Sequence, residues 1–590
     1  MGSAILGVEQ SVSGLRWRSR VEDDRLALAH AQRLGVPEVI GRALAGRGIG
    51  IDDADGYLNP SLRRDLPDPM VLKDMAPAVV RLADAVERDE IVGIFGDYDV
   101  DGATSAALLV RYLDAVGARS RVYVPDRLTE GYGPSVGGLR ALARAGAKAI
   151  VTVDCGASAE EPLAEARRDG LEVIVVDHHL PGPRLPEAIA VIDPNRLDED
   201  RGFGQLAAVG VTFLLLVALN RELRRRGRFT ARPEPGLLGW LDLVALGTVC
   251  DVVPLTGLNR ALVSQGLKVL ARRANVGLAA LADVAGLADR PVPFHLGFVL
   301  GPRINAGGRL GEPDLGVRLL TTADPIEARR IGERLDRANT ERKAIEVSVV
   351  AAAIDDAEAR GASRNAVAFA AGEDWHAGVI GIVASRLVER YRRPAVVVGT
   401  AGGVARGSGR SIHGVDLGAA IIAARQAGLL VNGGGHAMAA GFTAETGRLA
   451  ELAEFLELRL APAVAEHTGA PSLGLDGSMT AEAATVDLLN VIERLGPFGA
   501  GNAEPRFALA DCRIVRADVV GTDHVRCIAA GPRGGRLKAI AFRKAETAVG
   551  RALLERGAPP LHLAGTLRAD RWQGELGVQF VIDDAARSAP

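Results

Sequence analysis

From Glu90 onward, short apolar runs alternate with helical stretches, and that alternation admits few folds. The runs Ile91–Gly96, Arg121–Pro125, Ala149–Asp154, Glu172–Asp177 and Ala190–Asp193 read as strands, with helices at Ser135–Ala145 and Ala159–Asp169 between them. Strands joined by helical crossovers run parallel, so the pattern predicts an α/β fold with a doubly wound parallel sheet. Ligands of such sheets sit beyond the carboxyl ends of the strands. Three of these ends carry acids or imidazoles. Gly96 leads into Asp97-Tyr-Asp-Val-Asp101, Val153 into Asp154-Cys-Gly156, and Val176 into Asp177-His-His179. Further on, Gly236–Thr248 reads as an amphipathic helix, and Asp251 follows it in an apolar setting. A lone buried aspartate is costly unless it is paired or metal-bound.

Taken alone, the first cluster also suits a solvated acidic turn, and Asp251 a helix cap. Together they demand more. Two like charges ~4 Å apart repel by ~4 kcal/mol at an effective dielectric of ~20. Asp97, Asp99, Asp101, Asp154 and Asp251 are five such charges, and without cations several would have to take up protons. A mixed Asp/His set suits two Mn²⁺ or Mg²⁺ ions, and the imidazole favours Mn²⁺. Two such ions create a nucleophilic hydroxide and clamp the oxygens of an in-line displacement at phosphorus. The expected activity is metal-dependent phosphoester hydrolysis.

Composition excludes some alternatives. A net charge of −3 over 590 residues gives no global basic field, so any nucleic-acid surface must be local. The four cysteines, Cys155, Cys250, Cys512 and Cys527, have no metal-binding spacing and read as reduced thiols. The longest apolar run, Val209–Leu219, is too short for a membrane span, and the N-terminus lacks a signal-peptide layout. A soluble, cytoplasmic protein with no membrane contact is expected.

Asp324-Pro325 starts a helical pattern that runs to Gly361, ~55 Å at 1.5 Å per residue and long enough to join two lobes. Beyond it come a strand at Ala366–Ala370, a helix at Gly378–Tyr391, a strand at Ala395–Gly399 and a glycine-rich block, Gly433–Gly441. From Ser472 short strands (Arg513–Val519, His524–Ala529, Ala539–Phe542, Gly577–Ile582) predict a small β-barrel. The expected division is a helical region at 1–80, a catalytic domain at 81–275, a connecting region at 276–361, a second α/β lobe at 362–470 and the barrel at 471–590.

Several long motifs match one family. They include FGDYDVDG from Phe95, RLTEGYG from Arg127, VTVDCG from Val151, GTVCDVVPL from Gly247 and GPRINAGGRL from Gly301. Beyond the long helix stand WHAGVIGIVASRL from Trp375, GSGRSI from Gly407, GGGHAMAAGF from Gly433 and LGPFGAGNAEPRF from Leu495. With the triplet Asp177-His178-His179, the sequence resembles the DHH phosphoesterase superfamily over nearly its whole length. Within that superfamily it resembles the RecJ exonucleases.

The resemblance implies 5′-to-3′ degradation of single-stranded DNA to mononucleotides in repair and recombination, with a single-strand-binding protein and a helicase as partners. It implies that Asp97, Asp99 and Asp154 hold one ion and that Asp101, Asp154, His178 and Asp251 hold the other. His179 would meet the scissile phosphate, and Asp177 would orient the pair. Arg127 and Tyr132 would receive the 5′ end. Arg303, Asn305 and Arg309 would form a phosphate-binding loop between the lobes. Ser408, Arg410, Gly434 and His436 would contact the strand backbone. The barrel resembles an OB fold, with Phe507, Phe542, Trp572 and Phe580 as candidates for base stacking or for core packing. Two rival readings are a small-substrate DHH phosphodiesterase and a non-catalytic DHH scaffold in a replication complex.

Overall fold

The structure, a computed structural model, describes residues 4–127, 129–309, 312–467, 471–570 and 576–588; the side chain of Arg309 lies outside this set, as does Trp572. Five parallel strands form the catalytic sheet: Ile91–Gly96, Arg119–Tyr123, Ala147–Val153, Glu172–Val176 and Ala190–Ile192. Numbered along the chain, their spatial order is 2-1-3-4-5. The winding reverses between the first and third strands, and that switch point is where a ligand crevice opens. The inner strands are apolar because helices cover both faces, Val100–Ala115 and Ala208–Arg225 on one and Val136–Arg144 and Glu160–Arg168 on the other. The edge strand Arg119–Tyr123 is polar and largely exposed.

The helix expected at Gly236–Thr248 departs from the sequence reading. A 3₁₀ turn at Leu237–Trp240 precedes an α-helix at Leu241–Cys250. Every residue from Leu241 to Thr248 is buried, so the helix is enclosed on all sides and not amphipathic. Its burial carries Asp251 to the centre of the domain.

The long helix spans Pro325–Ala359, capped by Asp324, whose carboxylate accepts from the Ile326 N–H at 2.9 Å. Its first half (Ile331, Leu335) packs into the catalytic core, and its second half (Val349, Ala353, Ala357) packs into the second lobe. That lobe holds a mixed five-stranded sheet in the order Asn432–His436, Ala439–Glu445, Val404–Arg410, Ala395–Ala401, Ala368–Glu373. The glycine block is thus a β-hairpin. The barrel closes through pairing of Phe507–Val520 with Leu561–Asp570, a strand the sequence reading did not single out. Phe507 and Phe580 are wholly buried in its core, while Phe542 is partly exposed.

The N-terminal region is not only helical. Its strand Arg16–Ser19 pairs in parallel with Ser472–Leu475, and the buried Trp17 indole donates to Asp584 Oδ2 at 2.8 Å. Ile40, Ala43 and Leu44 join the hydrophobic core of the barrel. No described helix is long and apolar enough to cross a membrane.

Candidate metal centre

Strand register lines up the site. Gly96 pairs with Val153, Val153 with Val176, and Val176 with Ile192, so the next residues, Asp97, Asp154, Asp177 and Asp193, form a row along the carboxyl edge. The row is locked by backbone bonds: Asp97 N–H to Val153 O at 3.2 Å, Asp154 N–H to Val176 O at 3.0 Å, and Asp177 N–H to Ile192 O at 3.1 Å. The Asp97–Val100 turn adds two more acids. Asp99 caps the helix Val100–Ala115 by accepting from the Gly102 N–H at 3.0 Å. A β-carbon on Gly102 would come within 2.5 Å of Asp97 O, so only glycine lets the turn close this tightly. Asp101 is fully buried and accepts from Ala208 N–H at 2.6 Å and Val209 N–H at 2.9 Å, at the start of a second helix.

Three groups of potential ligands meet here among the described residues: Asp97 with Asp99 and Asp154, Asp101 with His178 and Asp251, and Asp154 with His178 and His179. Within each group the ligand atoms lie within 4.8 Å of one another. His178 Nε2 is 3.3 Å from Asp154 Oδ1, 3.6 Å from Asp251 Oδ2 and 3.9 Å from Asp101 Oδ2. Asp97 Oδ1, Asp154 Oδ1, His178 Nε2 and Asp251 Oδ2 are buried and have no hydrogen-bond partner among the described residues. Native proteins leave only a few such atoms unsatisfied per hundred residues, so four gathered at one place call for an explanation. Four that converge are a donor set for cations, and carboxylate oxygens with one imidazole nitrogen suit Mn²⁺ and Mg²⁺.

Electrostatics support the same reading. Burial, with the neighbouring carboxylates adding to it, raises Asp97 and Asp154 well above the usual carboxylate range, Asp101 to about 7 and Asp251 to about 9. Burial, then the adjacent His179, lowers His178 to about 4, leaving a neutral imidazole fit to be a ligand. A hydrogen bond to the Leu206 backbone orients its ring. Burial disfavours charge on His179, but the Asp177 hydrogen bond (2.8 Å) and charge outweigh it and lift its pKa to about 9. Asp177 holds the pair. Its Oδ1 also accepts from the backbone N–H groups of His178 and His179, and its Oδ2 from Ala157 N–H.

Two backbone positions in the centre are strained. Asp154 adopts φ +61° and Val252, next to Asp251, φ +63°. Each costs roughly 1–3 kcal/mol, a form of strain that clusters at functional sites.

Tyr132 Oη hydrogen-bonds Asp154 O and lies 3.0 Å from His179 Nδ1, which puts it at the rim of the centre. The Arg127 guanidinium lies over the Tyr98 ring, 5.1 Å from its centroid. Across the cleft, Ser408 and Arg410 share a face of their strand, two residues apart. Register places Ser408 beside Gly441 and Gly434, and Arg410 beside Ala439 and His436, so the four predicted residues form one patch. Burial, and then the charge of Arg127 on the catalytic lobe, lower the pKa of Arg410, so the two cations lie near enough for their charges to interact.

The segment expected to be a phosphate-binding loop is helical in conformation. Residues Gly301–Arg309 form an α-helix, because a π-turn at Leu296–Leu300 feeds straight into it. Arg303 is held by Asp336 Oδ1 at 2.9 Å and Val299 O at 2.7 Å, a structural tie to the long helix. Asn305 is half-buried on the same helix, and the predicted Arg309 side chain lies outside the described residues. Cys155 and Cys250 are packing residues with thiols held well above their ordinary range by burial.

Sequence reasoning missed Asn195, whose Nδ2 donates to His178 O at 2.6 Å and Gly204 O at 3.0 Å. It also missed Asp193, which accepts from the Asn195 N–H at 2.7 Å. Their position after the fifth strand was the available signal, since every earlier functional cluster also followed a strand.

With this geometry established, similarity to known proteins is informative. A model of the DHH family N-terminal domain matches residues 91–248, one of the DHHA1 domain 347–461, and one of the RecJ OB domain 475–584. The single-stranded-DNA-specific exonuclease RecJ of Dickeya dadantii is 38% identical over 564 residues, 93% of this chain and 96% of that one. The chain belongs to the RecJ family. Escherichia coli RecJ is 36% identical over 566 residues, with the same shares covered. The crystal structure of Thermus thermophilus RecJ in complex with Mn²⁺ superposes with a TM-score of 0.79 at 28% identity, covering 97% of this chain and 79% of that one. A second RecJ structure from that organism, in complex with Mg²⁺, gives 0.73. Both ions therefore occur in RecJ structures of this fold.

Proposed function

We propose that this chain is a 5′-to-3′ exonuclease that hydrolyses single-stranded DNA to 5′-mononucleotides with two divalent ions. The observation that carries the proposal is the convergence of four unpartnered ligand atoms, on Asp97, Asp154, His178 and Asp251, at the switch point of the sheet. Asp97, Asp99 and Asp154 would hold one ion; Asp101, His178 and Asp251, with Asp154 shared, would hold the other. When bound, the pair supplies a nucleophile at neutral pH and neutralises charge on the phosphoryl oxygens.

The chain's own groups do the rest. Asp177 fixes the His179 imidazole through bonds to its ring and its backbone N–H, so His179 presents a donor toward the phosphate rather than rotating freely. Tyr132 holds His179 from the solvent side and marks where the strand's 5′ end would lie. Arg127 and Arg410 face each other from opposite lobes, and an anionic backbone threaded between them relieves their mutual repulsion. The row of Ser408, Gly434 and Gly441 leaves the sheet surface free of bulk beside Arg410, where a sugar-phosphate chain can approach closely. Single-strand-binding protein and a helicase are the proposed partners, because they supply and expose single strands.

Digestion of single strands labelled at either end tests the reading. With Mn²⁺, mononucleotide should appear at once from the 5′ label and only at the end of digestion from the 3′ label. Early release from the 3′ label would refute the polarity. Activity that persists in Asp101→Ala and Asp154→Ala would refute the site. Faster cleavage of a dinucleotide than of a long strand would favour a small-substrate phosphodiesterase.

A further inference from the structure

The turn after Asp251 is strained, and it is held from outside the catalytic lobe. The helix Leu241–Cys250 ends at Asp251, whose N–H still donates to Gly247 O at 2.9 Å, and Val252 follows at φ +63°. A left-handed residue just past a helix is normally glycine, since a β-carbon there crowds the backbone. A β-branched side chain is among the worst occupants. Val252 is also 70% exposed, so no burial compensates it. Such a conformation persists only where the surroundings over-determine it.

Those surroundings come largely from the C-terminal region. The Leu255 N–H donates to Ala500 O at 2.8 Å. A β-carbon on Gly501 would come 2.8 Å from Pro254 Cβ, and one on Gly499 would come 2.7 Å from Leu255 Cδ1. The loop is itself anchored. Asn502 Nδ2 donates to Leu495 O at 2.9 Å and Pro497 O at 2.8 Å, while its Oδ1 accepts from Arg47 at 3.0 Å and Tyr57 at 2.8 Å. From the catalytic side, Asn259 Nδ2 donates to Pro254 O at 3.0 Å. The segment between the ligand and the next helix is thus held at Pro254 and Leu255 from both domains.

We propose that the loop Phe498–Asn502 is a positioning element of the metal centre. It clamps the strained turn so that the Asp251 carboxylate faces His178, and ion affinity at the Asp101–His178–Asp251 group therefore depends on docking of the C-terminal domain. The inference rests on Asp251 being a ligand, and the test separates the two claims. Mn²⁺ binding to the full chain is titrated by electron paramagnetic resonance, with circular dichroism as the check of folding. Asp251→Asn should lose one of two bound ions; retention of both sinks the ligand assignment and the clamp with it.

Gly501→Ala should weaken one ion about tenfold and leave the other unchanged, as loss of an outer support does. Adding Val252→Gly should restore most of that affinity, because a relaxed turn no longer needs the clamp. Gly499→Ala, whose β-carbon meets the side chain of the buried Leu255, carries the same expectation if Gly501→Ala does not fold, again with Val252→Gly as the rescue. Unchanged Mn²⁺ affinity in the folded variants overturns the proposal. So does a weakening that Val252→Gly fails to rescue.

Discussion

Asp154 is the residue at which the ligand groups overlap. It belongs to the group with Asp97 and Asp99 and to the group with His178 and His179, and it holds a left-handed backbone to do so. Asp154→Asn is expected to cut exonuclease activity at least ~10²-fold, as loss of a central electrostatic group does. The same change should raise the melting temperature of the metal-free protein, because it removes one buried charge from a repelling set; calorimetry after chelation checks this. The raised carboxylates set a pH dependence with a definite sign. Folded pKa values of about 7 for Asp101 and about 9 for Asp251 lie above their unfolded values, so the folded, metal-free protein binds more protons than the unfolded chain. The contribution of these two carboxylates to stability is therefore greatest below about 4, the unfolded carboxylate value, and is lost as pH rises to about 7 for Asp101 and about 9 for Asp251. His179, raised to about 9, adds a further loss above about 6.5. Ions displace those protons, so Mn²⁺ affinity should climb over the same window, measurable by calorimetric titration at pH 6.5, 7.5 and 8.5. Asp177→Asn should keep the fold yet reduce ion affinity or turnover ~10–100-fold, since the residue holds the His179 imidazole and the His178 backbone without being counted among the ligands.

At the scale of elements, the centre is a product of strand ends. Parallel pairing puts Asp97, Asp154, Asp177 and Asp193 one residue past the last paired positions, and the order 2-1-3-4-5 opens the crevice between the first two of them. The turn at Gly102 is the tightest joint in this arrangement. Gly102→Ala is expected to destabilise the protein by about 1–3 kcal/mol, because the new β-carbon meets a backbone oxygen that cannot step aside. Thermal unfolding should register the loss, and Mn²⁺ binding at the Asp97–Asp99–Asp154 group should weaken with it. The helix Leu241–Cys250 teaches a different lesson. Its sequence reads as amphipathic, but a helix enclosed on every side needs no polar stripe, and its neighbours decide that.

The whole molecule is tied together by contacts far apart in the chain. Arg260, buried on a catalytic-lobe helix, donates to Tyr57 O at 3.0 Å, Leu495 O at 2.8 Å and Arg494 O at 3.0 Å, and lies over the Tyr57 ring. One side chain therefore joins the N-terminal region, the catalytic lobe and the loop before the barrel. Arg260→Ala strands three carbonyls and should cost about 3 kcal/mol, with earlier proteolytic release of the barrel as the readout. The long helix joins the other pair of lobes, with one half in each core.

The alternation from Glu90 to Asp193 determined the parallel sheet, and strand-end chemistry determined which carboxylates and imidazoles could meet. Both are local signals: periodicity sets which face is buried, and parallel connection sets which end carries the site. The bond from Asn195 to His178 and the grip of Phe498–Asn502 on the Asp251 turn were not legible, because these partners lie on other elements and depend on docking rather than on pattern. The same holds for the bond between Arg303 and Asp336, which ties the helix Gly301–Arg309 to the long helix. Sequence settles what a segment prefers to bury; only the packed chain decides which polar atoms find partners, and which are left waiting for an ion.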